Sequence, residues 1–152
     1  MEAPMTGKVI VFDIDGTLAN ITHRRHWVAT KPKNWAAFNA AMANDTVYED
    51  IRWMLMKLRR TPGSQIILCS GRGDETRAVT EQWLSDNRIP FDQLFMRRAG
   101  DYRQDSIVKV ELLAQIRQWH GEPWLWFDDR NQVVDAIRAQ GVRVCQVAPG
   151  DF

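Results

Sequence analysis

Val9-Ile10-Val11-Phe12-Asp13-Ile14-Asp15-Gly16-Thr17-Leu18 is the stretch on which the reading of this chain turns. Its first four residues form an unbroken β-branched and aromatic run, the pattern of a strand buried on both faces of a parallel sheet. Two carboxylates, Asp13 and Asp15, follow at once. At the end of a buried strand they are costly unless something binds them. A hard cation fits, because Mg²⁺ takes oxygen ligands and keeps open positions for a substrate phosphate. Gly16 and Thr17 suit a tight exit turn whose backbone approaches a ligand closely. Read alone, the same residues also describe a strand end with a capped turn. The rest of the chain has to decide.

Outward from that stretch, strands and helices alternate. Strands are expected at residues 8–13, 65–69, 94–96, 124–128 and 142–147. Thr46-Val47-Tyr48-Glu49 has the form of a capping box opening a helix to about residue 60, with Ile51, Leu55 and Leu58 on its apolar face. Thr61-Pro62-Gly63 stops it. Further helices are expected over 74–87, with Val79, Trp83 and Leu84 inward, and from 105 to about 120, with Val108, Leu112, Ile116 and Trp119 inward. A last one spans 130–140, with Gly141 as its stop. Such alternation predicts right-handed crossovers and an α/β fold, a doubly wound parallel sheet covered on both faces. Residues 19–45 break it. There Trp35, Phe38, Ala41 and Met42 recur at helical spacing, which predicts a small helical cap insert over the active-site end. The whole, residues 1–152, reads as one domain.

Composition narrows the function classes. The 152 residues are 45% hydrophobic and 26% charged, with a formal net charge of +1. That is ordinary for a soluble globular protein, and it provides no global basic field of the kind that grips duplex nucleic acid. Cys69 and Cys145 lie in apolar runs and read as buried free thiols of a reducing compartment. Residues 1–7 lack the basic segment and apolar core of a signal peptide. No apolar stretch approaches the ~18 residues of a membrane span. The expected location is the cytoplasm, that of the host if the gene belongs to a phage. Most of the seven tryptophans are expected in the core, with Trp27 and Trp35 set in a polar neighbourhood. No Gly-x-x-x-x-Gly-Lys-Ser/Thr occurs, so the chain holds no nucleotide-binding P-loop and no kinase half. Nothing in the sequence fixes the oligomeric state.

In a doubly wound sheet, ligands bind beyond the carboxyl ends of the strands. The first expected strand ends in Asp13-Ile14-Asp15, the second runs into Ser70-Gly71-Arg72, and the fourth ends in Asp128-Asp129-Arg130. Each alone has a bland reading: a charged turn for Ser70-Gly71-Arg72, a helix N-cap with a first-turn acid for Asp128-Asp129. Together they place four carboxylates, a hydroxyl and a guanidinium at one sheet edge, which helix capping does not explain. Lys109, one turn after Asp105, is either an ordinary i, i+4 ion pair on a solvated face or a cation fixed by Asp105 and aimed at a phosphate.

This ordered set, Asp13-Ile14-Asp15-Gly16-Thr17, Ser70, Lys109 and Asp128-Asp129, resembles the four motifs of the haloacid dehalogenase superfamily and its Rossmann-like fold. The resemblance implies that Asp13 is a nucleophile and Asp15 a general acid–base, the mark of the phosphatase branch. It implies that Ser70 and Lys109 hold the transferring phosphoryl oxygens. It also implies Mg²⁺ held by Asp13, the Asp15 carbonyl and Asp128, with Asp129 bound directly or through water. A closer resemblance is to the 3′-phosphatase domain of phage-type polynucleotide kinase–phosphatases. Its carrying segments are residues 12–19, Ser70-Gly71-Arg72, Gly100-Asp101 with Arg103 through Asp105 to Lys109, Asp128-Asp129-Arg130 with Gln132-Val133-Val134, and Gln146-Val147-Ala148 with Gly150-Asp151-Phe152. The insert is the least similar part. By this resemblance Thr17, Arg24, Gly71 and Arg72 are substrate-binding, with Arg25 the competitor of Arg24, and Asp105 supports the site.

The activity these readings imply is Mg²⁺-dependent removal of a 3′-phosphate from DNA or RNA ends through an aspartyl-phosphate. The insert agrees locally. His23, Arg24, Arg25, Lys31 and Lys33 interleave with Trp27 and Trp35, and single strands are gripped by cations plus stacking rings. Alternatively both rings are the core of the cap. A second reading keeps the phosphatase but gives it free nucleoside monophosphates. A third, a catalytically dead end-binding module, has no use for Asp15.

Overall fold

The computed structural model describes residues 7–152; most of the segment read for a signal peptide lies outside them. Five strands form one parallel sheet: β1 (Val9–Phe12), β4 (Gln65–Gly73), β5 (Gln93–Arg97), β6 (Pro123–Asp128) and β7 (Val144–Gln146), in the order β5-β4-β1-β6-β7. β1 is central because its run is apolar at every position, and all four of its residues are buried. The alternation of side chains sorts the core into two layers. Ile10 and Phe12 face α3 (Glu49–Arg59) and α4 (Arg77–Asp86) through Leu55, Trp83 and Leu84. Val9 and Val11 face α5 (Asp105–Trp119) and α6 (Asn131–Ala139) through Val108, Leu112, Val133 and Ile137. The strand order reverses direction at β1, so the switch point lies where β1 and β6 end side by side.

The insert leaves and returns through a short antiparallel pair, β2 (Ala19–Asn20) with β3 (Thr46–Val47). Between them lie a 3₁₀ turn at Thr22–Arg24, the short helices α1 (His26–Ala29) and α2 (Trp35–Ala40), and a second 3₁₀ turn at Met42–Asn44. Asn34 caps α2, its Oδ1 accepting from the Ala37 N–H at 3.0 Å.

Several local expectations are corrected. Thr46 is not a helix cap: its backbone belongs to the β2–β3 pair, and α3 starts only at Glu49, without a side-chain cap bond. Glu49 and Asp50 in its first turn complement the helix dipole instead. Ala41 and Met42 fall outside α2. The expected helix at Asp74 begins as a 3₁₀ turn. Only Trp83 and Trp126 of the seven tryptophans are buried, and Trp119, expected inward, is 71% exposed at the last residue of α5. Val79, Ile51 and Leu58 are half-buried, as is Cys145, whereas Cys69 is fully buried. Ser70-Gly71-Arg72 is not a turn: β4 runs on through it, with a shift of register against β5 between Ser70 and Gly73.

Candidate active site

The Asp13 N–H donates to the Phe127 carbonyl at 2.9 Å, which ties the end of β1 to β6. Their next carboxylates therefore point into one space. Lys109 comes up from α5 and donates from Nζ to Asp13 Oδ1 at 2.7 Å and to Asp128 Oδ2 at 2.9 Å. Thr17 Oγ1 donates to Asp13 Oδ2 at 3.0 Å. Asp128 is held further by the Trp126 indole at 3.2 Å on Oδ2, and by the N–H groups of Asp129 (2.9 Å) and Arg130 (3.3 Å) on Oδ1. It is thus not the N-cap of α6; that position falls to Arg130.

Asp13, Asp128 and Asp129 each offer a carboxylate oxygen within 4.8 Å of the others. Burial, reinforced by Asp128, pushes the Asp13 carboxyl well above the ordinary range, and Lys109 opposes the shift only in part. Burial and Asp128 likewise push Asp129 up to about 6. Burial works to lower the Lys109 ammonium, but Asp128, Asp13 and Asp105 outweigh it and keep the lysine charged. Three buried carboxylates against one ammonium leave negative charge uncompensated, as expected of a site built for a cation. The donors are all hard oxygens, with no imidazole or thiolate among them, which suits Mg²⁺ better than zinc. Gly16 sits at φ +84°, and a Cβ there would run into the Asp129 carboxylate. Only glycine lets that turn lie so close to the cluster.

A second constellation lies beside the first. Asp15 Oδ1 accepts from Arg24 Nη2 at 2.9 Å and from Arg72 Nη2 and Nε at 2.6 and 3.0 Å. Behind them sits Asp45, whose side chain is fully buried. It takes Arg24 Nε and Nη2 at 2.7 Å each and Arg72 Nη2 at 3.2 Å. Phe38 lies 4.2 Å under the Arg24 guanidinium, Thr80 Oγ1 accepts from Arg72 Nη1 at 3.1 Å, and the Trp83 indole holds the Asp45 carbonyl at 2.8 Å. Burial works to raise the Asp15 carboxyl, but Arg72 and Arg24 outweigh it and leave it below the ordinary carboxylate value. The side chain of Asp15 is still 25% exposed, so it faces the solvent side of the constellation.

The sequence-expected residues thus converge, with some changes of partner. Ser70 is buried beside Asp13's strand, its Oγ accepting the Arg72 N–H at 3.1 Å. Gly71 faces the Asp105 carboxylate, which occupies the space a Cβ would need. Asp105 does not fix Lys109 by a hydrogen bond: the two are 3.9 Å apart, and Asp105 lies nearer Arg97 (3.4 Å) and Arg130 (3.7 Å). Arg24 is completely buried, whereas its competitor Arg25 is exposed. Trp27 and Trp35 are 41% and 52% exposed, which removes the alternative that both are core of the insert. Two participants escaped the sequence reading. Arg97 bonds the Gly71 carbonyl at 2.7 Å. Asp45 could have been suspected as the lone carboxylate of an otherwise basic segment.

The family profile described as the polynucleotide kinase PNKP phosphatase domain matches residues 7–152. The chain belongs to this phosphatase family. Two solved chains from Pnkp1/Rnl/Hen1 complexes, one described as an RNA repair complex, are each 32% identical. The matches cover 99% and 100% of this chain and 49% and 46% of theirs, with TM-scores of 0.81 and 0.80. This phosphatase therefore spans about half the length of those relatives. A haloacid dehalogenase-like hydrolase from Streptococcus pneumoniae shares the fold at 12% identity, over 92% of this chain and 84% of that one, with a TM-score of 0.60. Among curated proteins, "Beta-galactosidase 12" of Oryza sativa subsp. japonica is 31% identical over 134 residues, covering 80% of this chain but 14% of the rice protein. No helix among the described residues is long and apolar enough to cross a membrane.

Proposed function

We propose that this phosphatase is one catalytic unit capped by its insert, and that it removes the 3′-phosphate from polynucleotide ends in Mg²⁺-dependent fashion. The observation that carries the chemistry is the pairing of two differently treated carboxylates. Asp13 lies in the buried cluster with Lys109, while Asp15 faces outward under two arginines. Mg²⁺ held by Asp13, Asp128 and Asp129 would neutralise charge on nucleophile and phosphate. Asp13 Oδ attacks phosphorus, the bond from phosphorus to the 3′-oxygen breaks, and Asp15 gives its proton to that leaving oxygen. Asp15 then takes a proton from a water, which attacks the aspartyl-phosphate, and the bond from phosphorus to Asp13 breaks. Lys109 and Ser70 hold the equatorial oxygens. An arriving phosphate competes with Asp15 for Arg72 and Arg24; as those contacts weaken the Asp15 pKa rises, and it takes up from solvent the proton it then gives to the leaving oxygen.

Support for a polynucleotide 3′ end is the family match together with the RNA repair complex of the 32%-identical chain. The exposed Trp27 and Trp35, the latter with Lys33 5.5 Å from its ring, suit a single strand. The test compares phosphate release from a 3′-phosphorylated oligonucleotide, the same oligonucleotide phosphorylated at its 5′ end, and a 3′-nucleoside monophosphate. The first should be turned over with the highest kcat/KM. Equal rates on all three, or preference for the monophosphate, would turn the conclusion to a nucleotidase.

A further inference from the structure

The catalytic mouth is bridged by a contact that the chemistry above does not use. Phe152 lies between two arginines: the Arg25 guanidinium is 4.7 Å from its ring centroid and that of Arg130 is 5.2 Å away. Arg130 Nε also donates to the Phe152 carbonyl at 2.8 Å, and Gln132 Nε2 reaches the same oxygen at 3.4 Å. The two arginines belong to opposite sides of the site. Arg25 follows Arg24, which contacts Asp15; Arg130 follows Asp129, and its N–H contacts Asp128. The aromatic ring therefore ties the insert to the end of β6 beside both catalytic constellations.

The charge of Arg25 is unanswered at this bridge: it makes no ion pair among the described residues, whereas Arg130 has Asp105 at 3.7 Å and the Phe152 oxygen at 2.8 Å. Between residues 19 and 45 the sole carboxylate is Asp45, which is buried against Arg24 and Arg72. Two guanidiniums held by an aromatic ring are preordered, and preordering reduces what binding an anion costs in entropy. The scissile phosphate already has Lys109, Ser70 and the buried arginines. The bridge lies outside that set and calls for a second anion.

Resting on the polynucleotide reading, we infer that Arg25 and Arg130, positioned by Phe152, bind the internucleotide phosphodiester next to the 3′-terminal phosphate. That group is present in every oligonucleotide and absent from a mononucleotide. The bridge is thus the element that makes the enzyme favour strand ends over free nucleotides, and it reads backbone charge, not base identity.

The experiment uses three substrates: a 3′-phosphorylated oligonucleotide, the same oligonucleotide with a neutral methylphosphonate at the last internucleotide linkage, and a 3′-nucleoside monophosphate. Wild type should lose roughly 10- to 100-fold in kcat/KM on the methylphosphonate, the range for a hydrogen-bonded charge. Arg25→Ala should lose comparably on the normal oligonucleotide, lose little more on the methylphosphonate, and keep wild-type kinetics on the monophosphate. Its salt dependence on the oligonucleotide should fall by about one unit of log–log slope. Phe152→Leu, which keeps bulk but removes the ring, should raise KM on the oligonucleotide alone. The proposal is overturned if wild type does not distinguish the two linkages, or if the variants lose equally on all three substrates. Wild type that hydrolyses the monophosphate but no oligonucleotide would instead fail the polynucleotide reading, and the bridge proposal with it.

Discussion

Asp45 touches neither the carboxylate cluster nor solvent, yet its replacement should be felt in both stability and rate. Asp45→Asn removes the charge that receives Arg24 twice at 2.7 Å and Arg72 at 3.2 Å. Breaking a buried pair by removing one partner costs about 3–5 kcal/mol. Asn keeps one acceptor and Asp15 still pairs with both arginines, so the lower end, about 3 kcal/mol, is the expected loss. At roughly 2–4 °C per kcal/mol for a domain of this size, the melting temperature should fall by roughly 6–12 °C. Catalysis should fall on the order of 10²-fold, the usual effect of a misplaced reacting group. A pH profile separates this from simple loosening. With Asp45 neutral, both guanidiniums bear on Asp15 alone and lower its pKa further. The limb of kcat that requires protonated Asp15 therefore shifts to lower pH. The assay is steady-state phosphate release across pH, alongside thermal melts. A lowered melting temperature with wild-type kcat and an unmoved profile would refute the reasoning, leaving Asp45 a fold residue only.

Other perturbations have equally definite outcomes. Asp13→Asn should abolish turnover, because an amide forms no acyl-phosphate, while Asp15→Asn should cost roughly 10²–10⁴-fold in kcat. Asp129 titrates near 6 in the folded chain, above an ordinary carboxyl, so the metal-free fold favours its protonated form and loses that contribution as pH rises through 6. A bound cation needs the ionised form, so the rise in melting temperature on adding Mg²⁺ in place of EDTA should be small below pH 6 and grow above it. A flat difference across that range would remove Asp129 from the cation site. Trp27→Ala or Trp35→Ala should weaken oligonucleotide turnover by about 1–3 kcal/mol while sparing a small aryl phosphate, if a base stacks there. Equal losses on both substrates would show that no base stacks on either ring.

What the sequence revealed, and what it hid, follows from the range of each interaction. The sheet was legible because β1, β4 and β6 are written as local apolar runs, and no distant residue has to be known to recognise them. Asp13, Asp15 and Asp128 were legible because their strands end there, and strand ends of a parallel sheet converge by topology. Lys109 was found, but with the wrong principal partner. Helical spacing points from Lys109 to Asp105, whereas the bonds go across the core to Asp13 and Asp128. Asp45 stood out only as the lone carboxylate of a basic segment; its role stayed hidden because it depends on β2–β3 closing the insert, a pairing of two residues on each side with no periodic signature. The same pairing overrode the Thr46 capping box. Tryptophan placement failed for a different reason: the indole serves core and surface alike, so spacing on α5 put Trp119 inward although the helix ends there.

Covalent phosphoryl transfer from a polynucleotide 3′ end to Asp13 is open to a direct test by single-turnover, rapid acid quench with an oligonucleotide labelled in its 3′-phosphate, in Mg²⁺, followed by mapping of the labelled peptide. Transient label is expected on the peptide containing Asp13, absent in EDTA and in Asp13→Asn, and accumulating in a variant of Asp15 whose second step is slowed. Release of labelled phosphate at full rate with no label on the protein, or with label on another residue, would contradict that transfer.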